Sequence, residues 1–211
     1  QSQYLPLLIP TQNNKNDHGF GRDLWTLNPA STSPIHLEMF KFLGAMIGMA
    51  FRSGQVIDLK LCSIFWKKLV NESPTLEDLD FTDAYAVQFI KDVENVKLGI
   101  SKEEFKYAME LTWTTQLSNG ETVPVCEGGE EKPVQYEEVD DYHKKVIETR
   151  IHESDKQFNA VKQGFDLIFP TSCLSILSWR EVELRVVGPS TISVEDLKSI
   201  TYYSNCCPDN E

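Results

Sequence analysis

The stretch Pro34-Ile35-His36-Leu37-Glu38-Met39-Phe40-Lys41-Phe42-Leu43-Gly44-Ala45-Met46-Ile47-Gly48-Met49-Ala50-Phe51-Arg52 decides the fold. Ser33 ahead of it offers a capping hydroxyl, and Pro34 suits a first helical turn. Gly54 supplies the stop. Leu37, Phe40, Leu43, Ile47 and Ala50 recur at three or four residues and form one apolar face. Met39, Phe42, Met46 and Met49 form a second, so the pattern predicts a helix packed in a core on both faces. Gly44 and Gly48, four apart, let another backbone approach closely. The run is too short for the roughly 20 apolar residues of a membrane helix, and it holds Lys41.

Towards the N-terminus, residues 1–33 mix Pro and Gly with apolar anchors such as Leu7, Leu8, Leu24, Trp25 and Leu27, which predicts irregular but ordered chain. Towards the C-terminus, a helix is expected over 58–71. Thr75 with Asp78 is a capping-box variant, and the next helix spans about 82–96, with Ala86, Phe89, Ile90 and Val93 on one side. Ser101 with Glu104 is a full capping box. The period then changes to a strand's over 111–117, and Asn119-Gly120 signals a hairpin whose two central residues both take positive φ. Residues 122–125 return as an edge strand, because Pro124 cannot donate to a ladder. Helices follow over 138–152 and 154–168, ended by Pro170. Ser178 with Glu181 caps another over 179–187, and Ser193 with Asp196 opens the last. The fold class is α+β, predominantly helical.

The 211 residues carry 20 Lys and Arg against 32 Asp and Glu, a formal charge of −12. That balance argues against nucleic acid and against an anionic membrane surface. Residues 127–141 hold seven acids and one Lys. A run like this reads as a solvated loop, with electrostatic guidance of a basic partner as the sharper alternative. Both chain ends read as cuts inside a longer protein.

No local motif announces catalysis. Five cysteines, Cys62, Cys126, Cys173, Cys206 and Cys207, form no disulfide framework and no zinc spacing, and fit reduced thiols in a cytosolic or nuclear protein. Cys173 has apolar neighbours and no His nearby in sequence, so a buried structural thiol is expected, with a cysteine-hydrolase nucleophile as the rival. His143 and His152 are nine apart, which is not a helical metal pair. Phosphate-binding loops and nucleophile elbows are missing from the sequence. The residues call for no cofactor and no metal. A helical body with an acidic, hairpin-bearing insertion suggests docking.

Taken together, the chain resembles the N-terminal lobe of a HECT-type ubiquitin ligase domain. The resemblance rests on Arg22-Asp23-Leu24-Trp25 with Asn28-Pro29, on residues 39–52, and on Phe65-Trp66-Lys67-Lys68-Leu69. It continues through Thr75-Leu76-Glu77-Asp78-Leu79, Gly128-Gly129, Arg150-Ile151-His152-Glu153 with Gln157, Ala160-Val161 and Gly164-Phe165. It ends on Glu183-Leu184-Arg185-Val186-Val187-Gly188, Ile192, Val194, Leu197-Lys198 and Tyr202. The phrases FLGAMIGMAFR, RIHESDKQ and CLSILSWREVELRVVG look closest to the HERC-like subgroup, which carries RCC1-like repeats upstream.

This resemblance implies a large helical subdomain, residues 1–75 and 156–211, interrupted by a small one over 76–155 that carries the hairpin and binds the ubiquitin-conjugating enzyme (E2). It implies E2, ubiquitin and protein substrates as partners. The family's catalytic cysteine sits in a second, C-terminal lobe, in a Thr-Cys-Phe type motif that this sequence lacks, so no residue here is expected to be catalytic. The implied E2-binding residues are Tyr142, Met109, Leu111, Phe89, Ile90 and Val93. Each has a plain alternative as a core residue of the small subdomain. The rival to a ligase lobe is a non-catalytic interaction scaffold or a degenerate paralogue.

Overall fold

A computed structural model describes residues 6–189 and 194–202, without the side chains of residues 106–108 and 196. Helix α2, Pro34–Ser53, forms as its sequence predicts. The Ser33 hydroxyl accepts from His36 N, and Gly54 closes the helix in the left-handed region. Its partner is α8, Asp155–Asp166. The two backbones nearly touch: a Cβ on Gly44 would overlap the Val161 carbonyl, and one on Gly164 would overlap that of Lys41. No residue but glycine fits at either point.

The face of α2 bearing Phe40, Ile47 and Ala50 is buried. The second face is not, for Phe42, Met46 and Met49 are exposed. The expectation that both faces sit in a core is therefore corrected: α8 covers one side only. Around this pair gathers the first hydrophobic cluster. It includes Leu27, Leu61, Phe65, Trp66, Leu69, Phe158, Val161, Phe165, Leu174, Val182 and Val186. Helix α3, Ser63–Leu69, and helix α9, Trp179–Val187, supply several of these side chains.

Helix α3 is shorter than the pattern over 58–71 suggests. Residues 58–62 are non-helical instead: Leu61 forms an isolated parallel bridge with Trp25, with Trp25 N donating to Lys60 O and Cys62 N to Trp25 O. Before α2, the chain is also more regular than expected. Strand β1, Leu8–Pro10, pairs antiparallel with β2, Trp25–Leu27, and α1, Gln12–Asn16, lies between them.

A second hydrophobic cluster forms from residues between 90 and 146: Ile90, Val93, Phe105, Trp113, Val134, Val139, Tyr142 and Val146. It is built by α5, Ala84–Gly99, α6, Lys102–Ala108, and α7, Val139–His152, which pack beside a hairpin. The short helix α4, Leu76–Asp80, leads into it, opened by the Thr75–Asp78 capping box. The capping box of Ser101 with Glu104 forms as expected.

The hairpin joins β3, Thr114–Gln116, to β4, Thr122–Pro124, with Thr114 opposite Pro124. Its turn differs from the expected two-residue form. Gly120 N donates to Leu117 O and Leu117 N to Glu121 O, and Gly120 alone takes positive φ, at 91°. This is a three-residue turn in which only the last position needs glycine.

Beyond α8, a 3-10 helix at Thr171–Ile176 precedes α9, whose Ser178–Glu181 capping box is present. Cys173 lies in that 3-10 helix and is exposed, which overturns the buried-thiol expectation; Leu174 beside it takes the core position. A further helix, α10, spans Val194–Ile200. Its expected cap at Ser193 and Asp196, together with Ile192, Cys206 and Cys207, lies outside the described residues or side chains. Among the described residues, no helix is long and apolar enough to cross a membrane.

Candidate functional site

A groove of about 440 Å³ opens between α5, the hairpin and α7. Tyr85 and Phe89 of α5 form one wall, four residues apart and so on the same helix face. Leu111, Thr112 and Thr114 to Gln116, with Thr122, form the other. Tyr142, Val146 and Arg150 of α7 lie along the base.

Of the six residues singled out from the sequence, the structure brings Phe89, Leu111 and Tyr142 into this groove. Phe89 is 42% exposed and Leu111 is half-buried. Tyr142 is buried. Its hydroxyl donates to Thr114 O at 2.9 Å and its ring packs edge-on against Trp113. Burial pushes its pKa above the usual phenol value. Tyr142 therefore ties α7 to the hairpin and offers little surface.

Met109 lines a neighbouring groove of about 590 Å³, with Phe105, Pro133, Val134 and Tyr136. The two grooves share Glu110, Leu111 and Thr112, the ridge between them. Ile90 and Val93 are in neither. Both are buried in the second cluster, because α5 turns them towards α6 and α7 while Phe89 points out. A direct partner contact at Ile90 and Val93 is corrected to a core role.

Sequence reading missed Tyr85, Val146 and Arg150. Tyr85 had a signal, its four-residue spacing from Phe89. Arg150 stands in a motif quoted for the resemblance, but its role depends on Asp83, 67 residues away. Its guanidinium, buried, pairs with Asp83 at 2.9 Å and with Glu153 at 3.1 Å. Asp83 caps α5 by accepting from Ala86 N. Glu153 accepts from Ser118 N at 3.1 Å and from the Ser118 hydroxyl, at the hairpin turn.

The turn is also held from the other side. Gln12 Nε2 and Lys15 Nζ of α1 both donate to Ser118 O, at 3.0 and 2.7 Å. Asn13, fully buried, donates to Asp80 O and Phe20 O and accepts from Ala84 N. A closed circuit thus runs from α1 to the hairpin turn, through Glu153 and Arg150 to the start of α5, and back to α1. Both walls of the groove hang on it, so the groove is preformed.

The acidic run over 127–141 is less free than its composition suggests. Glu137 pairs with Lys102, Glu138 with Lys132, Asp140 with Lys97 and Asp141 with Lys144. Asp140 and Asp141 also sit in the first turn of α7, where the helix dipole favours negative charge. Among the described residues, Cys173 makes no hydrogen bond to a histidine or carboxylate that would activate it.

Comparison with known proteins decides the family. The model of the HECT domain (ubiquitin-transferase) matches residues 7–211. The chain belongs to the HECT-domain family. It is 33% identical over 211 residues to the E3 ubiquitin-protein ligase HERC2 of Mus musculus, covering 99% of this chain and 4% of that protein. The human HERC2 is 32% identical over the same coverage. The E3 ubiquitin-protein ligase RSP5 of Emericella nidulans is 28% identical over 182 residues, 84% of this chain and 21% of that protein. The chain thus spans about 4% of the length of the HERC2 proteins it matches. As a HECT-domain chain of the HERC-like kind, it has the α+β, mostly helical fold that its sequence implied.

Proposed function

We propose that this HECT chain is the E2-docking lobe of a ubiquitin ligase, and that the groove between α5, the hairpin and α7 receives the E2. In that reaction a ligase thiolate attacks the E2–ubiquitin thioester, a new thioester forms, and the E2 thiolate leaves. A substrate lysine amine then attacks the second thioester, an isopeptide bond forms, and the ligase thiolate is released. On this reading the attacking cysteine belongs to a part of the ligase outside these 211 residues. What this chain contributes is position: it binds the E2 and fixes its orientation.

One observation carries the proposal. Phe89 and Leu111, chosen from the sequence for an E2 contact, converge with part of their surface open on one preformed groove. Interface anchors are commonly apolar or aromatic groups in such a depression. The division into 1–75, 76–155 and 156–211 is part of the same reading. It is supported by the two hydrophobic clusters, one drawn from both ends of the chain and one from residues 90–146.

The test is a titration of the 211-residue chain against a panel of E2s by calorimetry. At least one E2 should bind, and Phe89→Ala should weaken it about tenfold, a typical anchor loss. Undiminished binding by the variant would sink the groove assignment.

A further inference from the structure

At Tyr85 the groove meets further exposed aromatic surface. Outside it, a row of exposed aromatic rings continues across the surface. Tyr85 is 52% exposed and stacks on His18, ring centroids 4.7 Å apart. Phe81, 45% exposed and four residues before Tyr85, lies 5.6 Å from Phe20, itself 68% exposed. These rings come from two separate segments, the loop after α1 and the stretch entering α5, so their meeting is a product of the fold.

The loop that offers His18 and Phe20 is built, not loose. Asn13 holds the Phe20 carbonyl with its buried amide at 2.9 Å, and His18 N donates to Asn13 O. Asp17 adopts φ of 48°, a conformation that costs a non-glycine residue energy and persists only where the surroundings impose it. Arg22 pairs with Asp17 across the loop at 3.2 Å. The backbone presenting His18 and Phe20 is thereby held, and their rings pack against Tyr85 and Phe81.

We infer that His18, Phe20, Phe81 and Tyr85 extend the docking surface, and that the E2 seated in the groove also lies against this ridge. The inference rests on the groove reading above. Two arguments select the E2 as occupant. Tyr85 belongs to both features, since it lines the groove and stacks on His18, so a protein filling the groove meets the ridge. The area also requires it: a specific protein interface buries about 800 Å² on each side, more than the few open side chains of the groove provide. The ridge supplies adjoining apolar surface rich in the aromatic residues that interfaces favour. The E2 surface it fits is an apolar one that contacts α5 and the 17–22 loop together.

The experiment compares four forms of the 211-residue chain for binding to whichever E2 binds the wild type: wild type, Phe20→Ala, Phe89→Ala, and Ile176→Ala as an exposed control away from both features. Thermal melts of each form establish folding, and Phe20→Ser provides a second ridge variant. We expect Phe20→Ala and Phe20→Ser to weaken binding about fivefold, a change typical of a partly exposed anchor, with Ile176→Ala unchanged. Loss with Phe89→Ala but unchanged affinity with both Phe20 variants would overturn the ridge and leave the groove standing. No loss with Phe89→Ala would overturn the groove reading and the ridge with it.

Discussion

Arg150 Nη1 lies 2.9 Å from Asp83 Oδ2, and both side chains are buried. The same guanidinium reaches Glu153 through Nε at 3.1 Å. Arg150→Met keeps the volume and removes the charge, leaving two buried carboxylates without their ion-pair partner. The expected loss is about 3–5 kcal/mol, the usual cost of breaking a buried pair on one side. Urea unfolding of the single variant and of Arg150→Met with Asp83→Asn checks it. The double variant should be less destabilised than the sum of the two singles, because they share one interaction. Additive losses would contradict the pair.

Helices α2 and α8 cross at two glycines. Gly164→Ala forces a methyl group into the Lys41 carbonyl, and the helices must separate to admit it. Overpacking of this kind costs about 1–3 kcal/mol, to which lost core contacts add. A shift of the urea midpoint to lower concentration is expected for Gly164→Ala, with Gly99→Ala as a control, since nothing lies near that position. Equal stability of the two variants would contradict the close crossing.

His143 gives the fold a pH dependence near neutrality. Burial lowers its pKa and outweighs the opposing pull of Glu94, at 3.3 Å, and of Asp140, with Lys97 acting in the same direction as burial. The unfolded imidazole titrates near pH 6.5, so below that pH the unfolded chain takes up a proton that the folded chain resists. The stability is therefore present above about pH 6.5 and declines as pH falls through the folded value. His143→Gln should flatten the decline in urea midpoint between pH 7.5 and 5.5. An unchanged slope would contradict this account.

Asp78 acts at lower pH. Burial opposes its ionisation, but hydrogen bonds from Lys67, Ser63 and Thr75 together outweigh burial and hold its pKa below the usual value. Its contribution is present above the unfolded pKa of about 3.9 and is lost as pH falls through the lower folded value. Acid unfolding followed by circular dichroism should be less steep in Asp78→Asn, which starts from a less stable fold at pH 7. Identical acid profiles would contradict it.

Much of the fold was legible because its signals are local. The three capping boxes at Thr75, Ser101 and Ser178 and the stop at Gly54 are read within four residues, and all are formed. What was misread depended on distant partners. The second apolar face of α2 looks the same in sequence whether another element covers it or not. Strands β1 and β2 are three residues each, too short for periodicity, and Trp25 of β2 also bonds Lys60 and Cys62, which keeps that segment out of the helix. Of the residues implied for the site, Phe89 and Leu111 line the groove, while Ile90 and Val93 are buried in the second cluster, on a helix whose phase the sequence leaves open by about one turn. Arg150 stands in a quoted motif, yet its role needed Asp83, 67 residues away, to become visible.

The central claim is that the E2 occupies the groove of Phe89, Leu111 and Tyr142. Amide chemical-shift mapping of the 211-residue chain, titrated with a binding E2, tests it most directly. The account predicts that the perturbed amides cluster at residues 85–89, 110–116 and 122 and along α7 near 142–146. Perturbations confined to the exposed face of α2 or to α9, with the groove amides unmoved at saturation, would contradict it.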